Sequence, residues 1–158
     1  MILNRIVESK KKELDRSKLD RNIIELEEII NKLPEVLDFK NALKKQSLND
    51  IRIIAELKKA SPSKGIIRED FDPLKIARQY EANNAAAISI LTESEFFMGK
   101  LDFLKEIKNA LNIPLLRKDF LFDPYQIYEA RANGADAVLL IAAILEIKYF
   151  REFVNNIF

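Results

Sequence analysis

Short apolar runs alternate with stretches of helical periodicity along most of the chain. Four such runs, at residues 51–57, 85–91, 114–116 and 137–142, are rich in Ile, Leu, Val or Ala and are bounded by charge or turns. Runs of this kind are typical of strands buried in a parallel sheet. Because helical patterns separate them, the sequence predicts an α/β fold in which helices pack outside a parallel sheet.

Capping residues mark where several of these helices begin and end. Asp72-Pro73 and Asp123-Pro124 each place an N-cap carboxylate before a proline at the first helical position. Asn84 and Gly134 stand where the corresponding helices need a left-handed residue to end them. Two further helices are marked by apolar residues at helical spacing: Leu101, Leu104, Ile107 and Leu111, then Leu145, Tyr149, Phe150, Phe153, Val154 and Ile157. Repeated strand–loop–helix units of this kind build (β/α) barrels.

The first fifty residues show a different pattern, that of charged amphipathic helices. Three helices are predicted from apolar stripes: Ile2, Leu3, Ile6, Val7 and Leu14; Ile23, Leu26, Ile29, Ile30 and Leu33; and Phe39, Ala42 and Leu43. No linker separates this segment from the first strand. Residues 1–50 are therefore interpreted as a helical extension over the barrel part, residues 51–158, and serve either as a solvent-facing cap or as a functional lid.

Composition limits the chemistry that the chain can perform. Of its 158 residues 48% are hydrophobic, and the formal net charge is +1, which gives no electrostatic reason to expect nucleic acid or an acidic membrane surface as a partner. The longest apolar run, 137–145, is too short to cross a membrane. Cysteine and histidine are both absent, which excludes thiol catalysis, Ser-His-Asp catalysis and histidine-ligated metals. Acid–base work falls to Lys, Glu, Asp or Tyr, and the lack of cysteine fits a reducing cytoplasm.

Charged residues stand at the ends of two predicted strands. Alternation places Glu56 and Lys58 on one face of the first strand and Lys118 on a face of the third. If both faces point into a barrel, these side chains converge at its carboxyl-terminal mouth, where barrel enzymes carry their catalytic groups. The alternatives are a structural ion pair for Glu56 and Lys58, and surface exposure beside Asp119 for Lys118.

Two loops offer further candidate contacts. The Ser-Pro-Ser-Lys-Gly segment at 61–65 is either an ordinary polar loop or a site whose hydroxyls and amides hold a phosphate. The pair Phe96-Phe97 is either a packing anchor or an aromatic wall for a planar ligand.

Specific motifs run through nearly the whole chain. Residues 54–63 contain Lys-x-x-Ser-Pro-Ser, and residues 114–120 contain Arg-Lys-Asp-Phe. With residues 87–93, 96–99, 123–131 and 134–141, they closely resemble the indole-3-glycerol phosphate synthase family, barrel enzymes that close the indole ring in tryptophan biosynthesis. The resemblance implies a (β/α)8 TIM barrel.

The resemblance also implies a reaction. The family is a carboxy-lyase that converts 1-(2-carboxyphenylamino)-1-deoxyribulose 5-phosphate by ring closure, decarboxylation and dehydration, without a metal or an organic cofactor. Lys118 looks like the general acid that protonates the carbonyl oxygen as the ring closes. Lys58 is similar to the lysine that binds anionic groups of the substrate and takes part in dehydration, with Glu56 beside it. The implied substrate-binding residues are Ser61 near the phosphate, Phe97 and Phe120 against the anthranilate ring, and Ser89 and Leu139 along the pocket.

The family pattern extends further than this sequence. Four more strands of the family barrel, with a catalytic glutamate, an asparagine and a glycine-rich phosphate site, have no counterpart in residues 1–158. The chain is therefore expected to hold the first four βα units and to be inactive alone. Two alternatives are a non-catalytic half-barrel that self-associates or pairs with a C-terminal half, and another phosphate-binding barrel such as phosphoribosylanthranilate isomerase.

Overall fold

The computed structural model describes residues 1–47 and 49–146. In chain order, these residues form α1 (Ile2–Asp20), α2 (Ile23–Ile30), α3 (Phe39–Ala42), β1 (Ile54–Leu57) and a short hairpin of β2 (Ala60–Ser61) and β3 (Gly65–Ile66). They continue with α4 (Pro73–Ala82), β4 (Ala87–Leu91), α5 (Asp102–Ala110), β5 (Leu115–Leu121), α6 (Pro124–Ala132), β6 (Ala137–Leu140) and a 3-10 turn, Ala142–Ile144. The predicted N-terminal helices and the alternation of strands with helices are confirmed.

The longer strands form one parallel sheet in the order β1-β4-β5-β6. Helices α4, α5 and α6 pack against a single face of it. The buried core between the sheet and these helices consists of Leu57, Ile76, Ala77, Ile88, Ile90, Leu104, Ile107, Ile113, Leu115, Ala130 and Ala135. Because side chains alternate along a strand, Glu56, Ser89 and Leu116 lie on the opposite face. The predicted parallel α/β arrangement is confirmed.

Strand β5 is longer than the sequence predicted. The expected strand, 114–116, stopped where the charged residues begin, whereas β5 continues through them to Leu121. The prediction was wrong because Arg117 and Asp119 are only 1% and 2% exposed and pair with each other at 3.0 Å. Other boundaries differ less: β1 begins at Ile54, β6 ends at Leu140, and the hairpin β2–β3 was not predicted.

The predicted helix ends are confirmed. The Asp72 side chain accepts the Lys75 N–H at 2.9 Å, and Asp123 forms a capping box at the start of α6. Asn84 and Gly134 adopt the left-handed conformation with φ of 61° and 91°. The helix predicted from Leu145 to Ile157 lies, beyond residue 146, outside the described residues.

The N-terminal helices pack against β5 and α6: α1 contacts the strand, and α2 contacts the helix. Leu14 and Leu26 form a cluster with Tyr125 and Ala132 of α6. The Tyr125 hydroxyl donates to the carbonyl of Ser17 at 2.8 Å, close to the last turn of α1. Among the described residues, no helix has the length and apolar character needed to cross a membrane, and no group of three acidic side chains is placed to hold a metal ion.

Candidate active site

Glu56, in β1, lies between Lys58, which follows β1, and Lys118, in the middle of β5. Its Oε1 is 2.5 Å from Lys58 Nζ, and its Oε2 is 2.8 Å from Lys118 Nζ. The three side chains are 29%, 36% and 35% exposed respectively, so they are desolvated only in part and remain open to a ligand. The structure therefore brings together the three residues that the sequence singled out, and Lys118 does not point away into solvent.

The shared carboxylate is held in its ionised form. Partial burial raises the pKa of Glu56, but the hydrogen bonds and charges of Lys118 and Lys58 outweigh burial and keep that pKa below its ordinary value. At neutral pH the group is thus an anion between two ammonium groups, each with N–H bonds left to offer. Such a pair of lysines can bind anionic substrate groups and can donate protons to oxygen.

Ser89 lies on β4, between the strands that carry Glu56 and Lys118. In register it pairs with Glu56 on one side and with Leu116 on the other. Its side chain is 4% exposed, and within the described part of the chain its Oγ has no hydrogen-bond partner. Buried hydroxyls are nearly always hydrogen-bonded, so an unpaired one on the strand between Glu56 and Lys118 is a candidate ligand contact.

Two of the candidate aromatic rings pack against each other. The rings of Phe97, in the loop after β4, and Phe120, two residues beyond Lys118, lie 6.1 Å apart between centroids at an angle of 38°. Their spacing fits a tilted aromatic pair and leaves both rings half-buried. The contact between the rings fits both interpretations of Phe97, as a packing anchor and as part of an aromatic wall.

The remaining candidates occupy the loop after β1 and the last strand of the sheet. Ser61 pairs with Gly65 in the hairpin β2–β3, and its Oγ accepts the Lys64 N–H at 3.3 Å. The preceding residue, Ala60, donates its N–H to the Phe97 carbonyl at 3.2 Å, so Ser61 is tied to the aromatic loop. Leu139 is half-buried on β6 and, by alternation, shares the face of Ala137 and Leu116.

A buried charge cluster lies directly behind Lys118, and the sequence prediction missed it. Asp119 Oδ2 is 2.8 Å from Lys10 Nζ and 3.0 Å from Arg117 Nη2, and Arg117 Nη1 is 2.9 Å from Glu129 Oε2. Burial alone would raise the pKa of Asp119, but Arg117 and Lys10 lower it below the ordinary value. Because these residues flank Lys118 in β5, the cluster fixes the backbone from which Lys118 projects.

One cleft among the described residues lies away from the candidate site. It has a volume of about 590 Å³ between α1 and the end of β6, and Leu3, Val7, Phe122 and Ile144 are among its lining residues. The candidate residues are not among its lining residues. Glu56, Ser89, Lys118, Phe120 and Leu139 lie on the face of the sheet opposite the helices, and Lys58, Ser61 and Phe97 lie in the segments that follow β1 and β4.

Parallel strands joined by helices define an α/β protein, and acid–base side chains toward the carboxyl ends of such strands are typical of enzymes with barrel folds. Comparison with known proteins gives the family. The family model for indole-3-glycerol phosphate synthase matches residues 3–156. The chain belongs to the indole-3-glycerol phosphate synthase family, whose members are TIM barrels.

Curated relatives show the extent of the match. The chain is 48% identical to indole-3-glycerol phosphate synthase of Endomicrobium trichonymphae, over 99% of this chain and 60% of that protein. Its identity to the proteins of that name from Trichodesmium erythraeum and Aliarcobacter butzleri is 49% and 52%, over 99% and 96% of the chain and 53% and 58% of those proteins. The chain thus spans little more than half the length of these relatives.

Proposed function

We propose that this chain supplies the acid-lysine part of an indole-3-glycerol phosphate synthase active site. The observation that carries the proposal is the sharing of one carboxylate, Glu56, by Lys58 and Lys118. In this proposal the substrate, 1-(2-carboxyphenylamino)-1-deoxyribulose 5-phosphate, binds over the lysines on the open face of the sheet. The products are indole-3-glycerol phosphate, carbon dioxide and water.

Lys118 acts as the general acid. The ring carbon that bears the carboxylate attacks the substrate carbonyl, and Lys118 Nζ gives a proton to the oxygen as the new carbon–carbon bond forms. Loss of carbon dioxide leaves its bonding electrons in the ring system. The hydroxyl then departs as water with a proton from Lys58, and loss of a ring-system proton completes the indole. Glu56, 2.5 Å and 2.8 Å from the two ammonium groups, keeps both aimed at the substrate.

The flanking residues bind the substrate. Phe97 and Phe120 pack against the anthranilate ring, which their 6.1 Å centroid separation supports. Ser61 lies toward the phosphate end. Ser89, whose buried Oγ lacks a partner among the described residues, and Leu139 line the pocket. The reaction requires no metal or organic cofactor in this proposal.

The described strands are, in this proposal, the first four βα units of an eightfold barrel. Residues 1–50 form the helical extension, and residues 51–158 belong to the barrel. Two facts support the assignment of these strands to a larger barrel. The chain spans 53–60% of the Trichodesmium and Endomicrobium relatives, and β1 and β6 each pair with a single strand of the described sheet. Further strands would pair with those edges and complete the active site.

Two forms of the chain test the proposal. One is the 158-residue chain alone, and the other, called here the extended chain, is the same chain joined to the C-terminal region of the Aliarcobacter butzleri relative. Formation of indole-3-glycerol phosphate is measured for both, and circular dichroism verifies folding. We expect turnover by the extended chain and negligible turnover by the chain alone. A folded extended chain without turnover, or a chain that is fully active alone, would contradict the proposal.

One observation favours a second, non-catalytic role in self-association. Ile51, Ile53 and Ile54 at the β1 edge are 80%, 57% and 42% exposed. An apolar edge with unpaired backbone groups favours pairing with another strand, from a second copy or from a C-terminal half. Light scattering on the 158-residue chain tests this; a monodisperse monomer would exclude self-association.

A further inference from the structure

A buried carboxylate organises the loop that carries Phe97. Glu93 follows β4 and is 0% exposed. Its Oε1 accepts the Glu95 N–H at 3.1 Å, and its Oε2 accepts the N–H groups of Phe96 at 2.7 Å and Phe97 at 3.0 Å. Three successive backbone donors thus converge on one side chain. The loop would otherwise have no regular secondary structure to satisfy them.

The same loop is closed by its backbone. The Gly99 N–H donates to the Glu93 carbonyl at 2.8 Å, so the chain returns to the residue from which the loop started. A Cβ at Gly99 would lie 2.3 Å from the carbonyl oxygen of Leu91, so a larger residue cannot close the loop in this way. Met98, just before it, has a left-handed φ of 52°. The loop is consequently held in one conformation rather than many.

Phe97 is fixed on both sides of its backbone. Its N–H bonds to Glu93, and its carbonyl accepts the N–H of Ala60 at 3.2 Å, beside Ser61 in the hairpin β2–β3. Its ring then lies 6.1 Å from that of Phe120. The Glu93 side chain, just beyond β4, therefore connects the aromatic wall with the loop that carries Ser61.

Burial of Glu93 is electrostatically unfavourable. Desolvation raises the pKa of Glu93 by more than the bonds from the loop amides and the charge of Lys10 lower it. A neutral, apolar residue at this place would avoid that cost, so the carboxylate is explained better by what it holds than by packing.

We propose that Glu93 is a positioning residue: its two carboxylate oxygens gather the amides of residues 95–97 and so hold the Phe97 ring as a wall for the aromatic part of the substrate. This inference rests on the proposed function. It assigns Glu93 no contact with the reacting atoms. The proposed effect on the reaction is the one carried by the Phe97 ring.

The substitution Glu93→Gln tests the geometry with almost no change in size. Glutamine keeps one acceptor oxygen and replaces the other with an NH₂ group, which cannot accept a hydrogen bond. Whichever way the amide is turned, at least one loop N–H loses its acceptor. Glu106→Gln is the matched control, because it removes the same charge from an exposed position on α5.

The first arm of the experiment needs no activity. The chain contains no tryptophan, so Phe97→Trp introduces a single tryptophan at the wall, which is excited at wavelengths where the four tyrosines do not absorb. In the 158-residue chain, adding Glu93→Gln should shift the tryptophan emission to longer wavelength and increase its quenching by acrylamide, whereas Glu106→Gln should change neither. An unchanged reporter in a folded Glu93→Gln chain would overturn the inference and leave the proposed function intact.

The second arm measures kinetics in the extended chain. Because a wall contacts the substrate in both ground and transition states, Glu93→Gln should raise KM about tenfold and leave kcat nearly unchanged. In a Phe97→Ala background the same substitution should add no further rise in KM, since its effect passes through the missing ring. A full additional rise in that background, or a normal KM in Glu93→Gln, would overturn the inference. An inactive wild-type extended chain would overturn the proposed function, and with it this inference.

Discussion

Lys118 Nζ lies 2.8 Å from Glu56 Oε2, although the two residues are 62 positions apart in the sequence. Their strands are not neighbours, because β4 lies between β1 and β5. The contact therefore forms only when three strands have paired in the correct register, in which Ser89 of β4 lies opposite Glu56 of β1 and Leu91 lies opposite Lys118 of β5. The geometry of the candidate site is a property of the assembled sheet.

Replacement of the shared carboxylate, Glu56, should lower the activity without lowering the stability of the fold. In Glu56→Gln the amide keeps one acceptor, so one of the two lysines loses its partner. We expect kcat of the extended chain to fall about 10²-fold, as for the loss of a positioned acid–base contact. The free energy of unfolding should change little, because partly exposed ion pairs contribute little to it. Urea denaturation and initial rates measure both; Glu106→Gln is the control, and an unimpaired kcat would contradict the assignment of Glu56.

The cluster behind Lys118 should be far more important for stability. Lys10 has a side-chain exposure of 2%, and its removal leaves the carboxylates of Asp119 and Glu129 with Arg117 as their only buried cation among the described residues. Lys10→Met should therefore lower the free energy of unfolding by about 3 kcal/mol. Lys11→Met is the matched control, because the neighbouring Lys11 pairs with Glu8 at the surface and is 55% exposed. Equal effects of the two substitutions in urea denaturation would contradict this account.

Because the Phe97 loop approaches β4 closely, substitution of Gly99 should lower the free energy of unfolding. In Gly99→Ala the new methyl group meets the Leu91 carbonyl oxygen at 2.3 Å, and the backbone must move. We expect a loss of about 1–3 kcal/mol in the free energy of unfolding. Gly65→Ala is the comparison, since no atom lies within 4 Å of its Cβ and only the left-handed φ of 64° opposes it. A smaller loss at Gly99 than at Gly65 would show that the loop adapts easily.

The sequence predicted the parallel α/β arrangement and the convergence of Glu56, Lys58 and Lys118 because both depend on local patterns. Apolar runs, caps and strand alternation are readable residue by residue, and they place Glu56, Lys58 and Lys118 correctly. The extent of β5 could not be predicted in this way, because Arg117 and Asp119 look like surface residues until their partners are known. Those partners include Lys10, more than a hundred positions away. The one available signal is its spacing: Lys10 falls four residues after Ile6 and four before Leu14, on the buried stripe of α1.

The role of Glu93 could not be predicted from the sequence either. An acidic residue after a strand usually remains solvated, and only the coordinates show three amides converging on it. Burial of this carboxylate is a consequence of how the loop closes, and loop closure depends on the clearance at Gly99. Neither the burial of Glu93 nor the clearance at Gly99 is visible as a periodicity or a composition of the sequence.

Glu93 should give stability a recognisable dependence on pH. Its pKa is raised in the folded chain, first of all by burial. As the pH rises through the ordinary glutamate value of about 4.3, the unfolded chain loses this proton while the folded chain keeps it, so stability falls. The stability advantage of wild type over Glu93→Gln should therefore be greatest below pH 4 and shrink toward neutrality. Urea denaturation of both proteins between pH 3.5 and 7, values chosen to bracket about 4.3, measures it. An advantage that grows with pH would contradict the raised pKa.

The substitution Lys118→Arg tests whether Lys118 acts as a proton donor or only as a positive charge. Arginine keeps the positive charge and can still reach Glu56, so the ion pair of the folded chain should survive, and the melting temperature should change little. A guanidinium does not release its proton at neutral pH, so it cannot protonate the carbonyl oxygen as the ring closes. We expect the extended chain with this substitution to lose ~10²–10⁴-fold in kcat, as much as Lys118→Ala. The exposed Lys105→Arg on α5 should leave kcat unchanged. If Lys118→Arg retained most of its activity while Lys118→Ala lost it, the residue would act by charge alone and the role of general acid would have to move to another group.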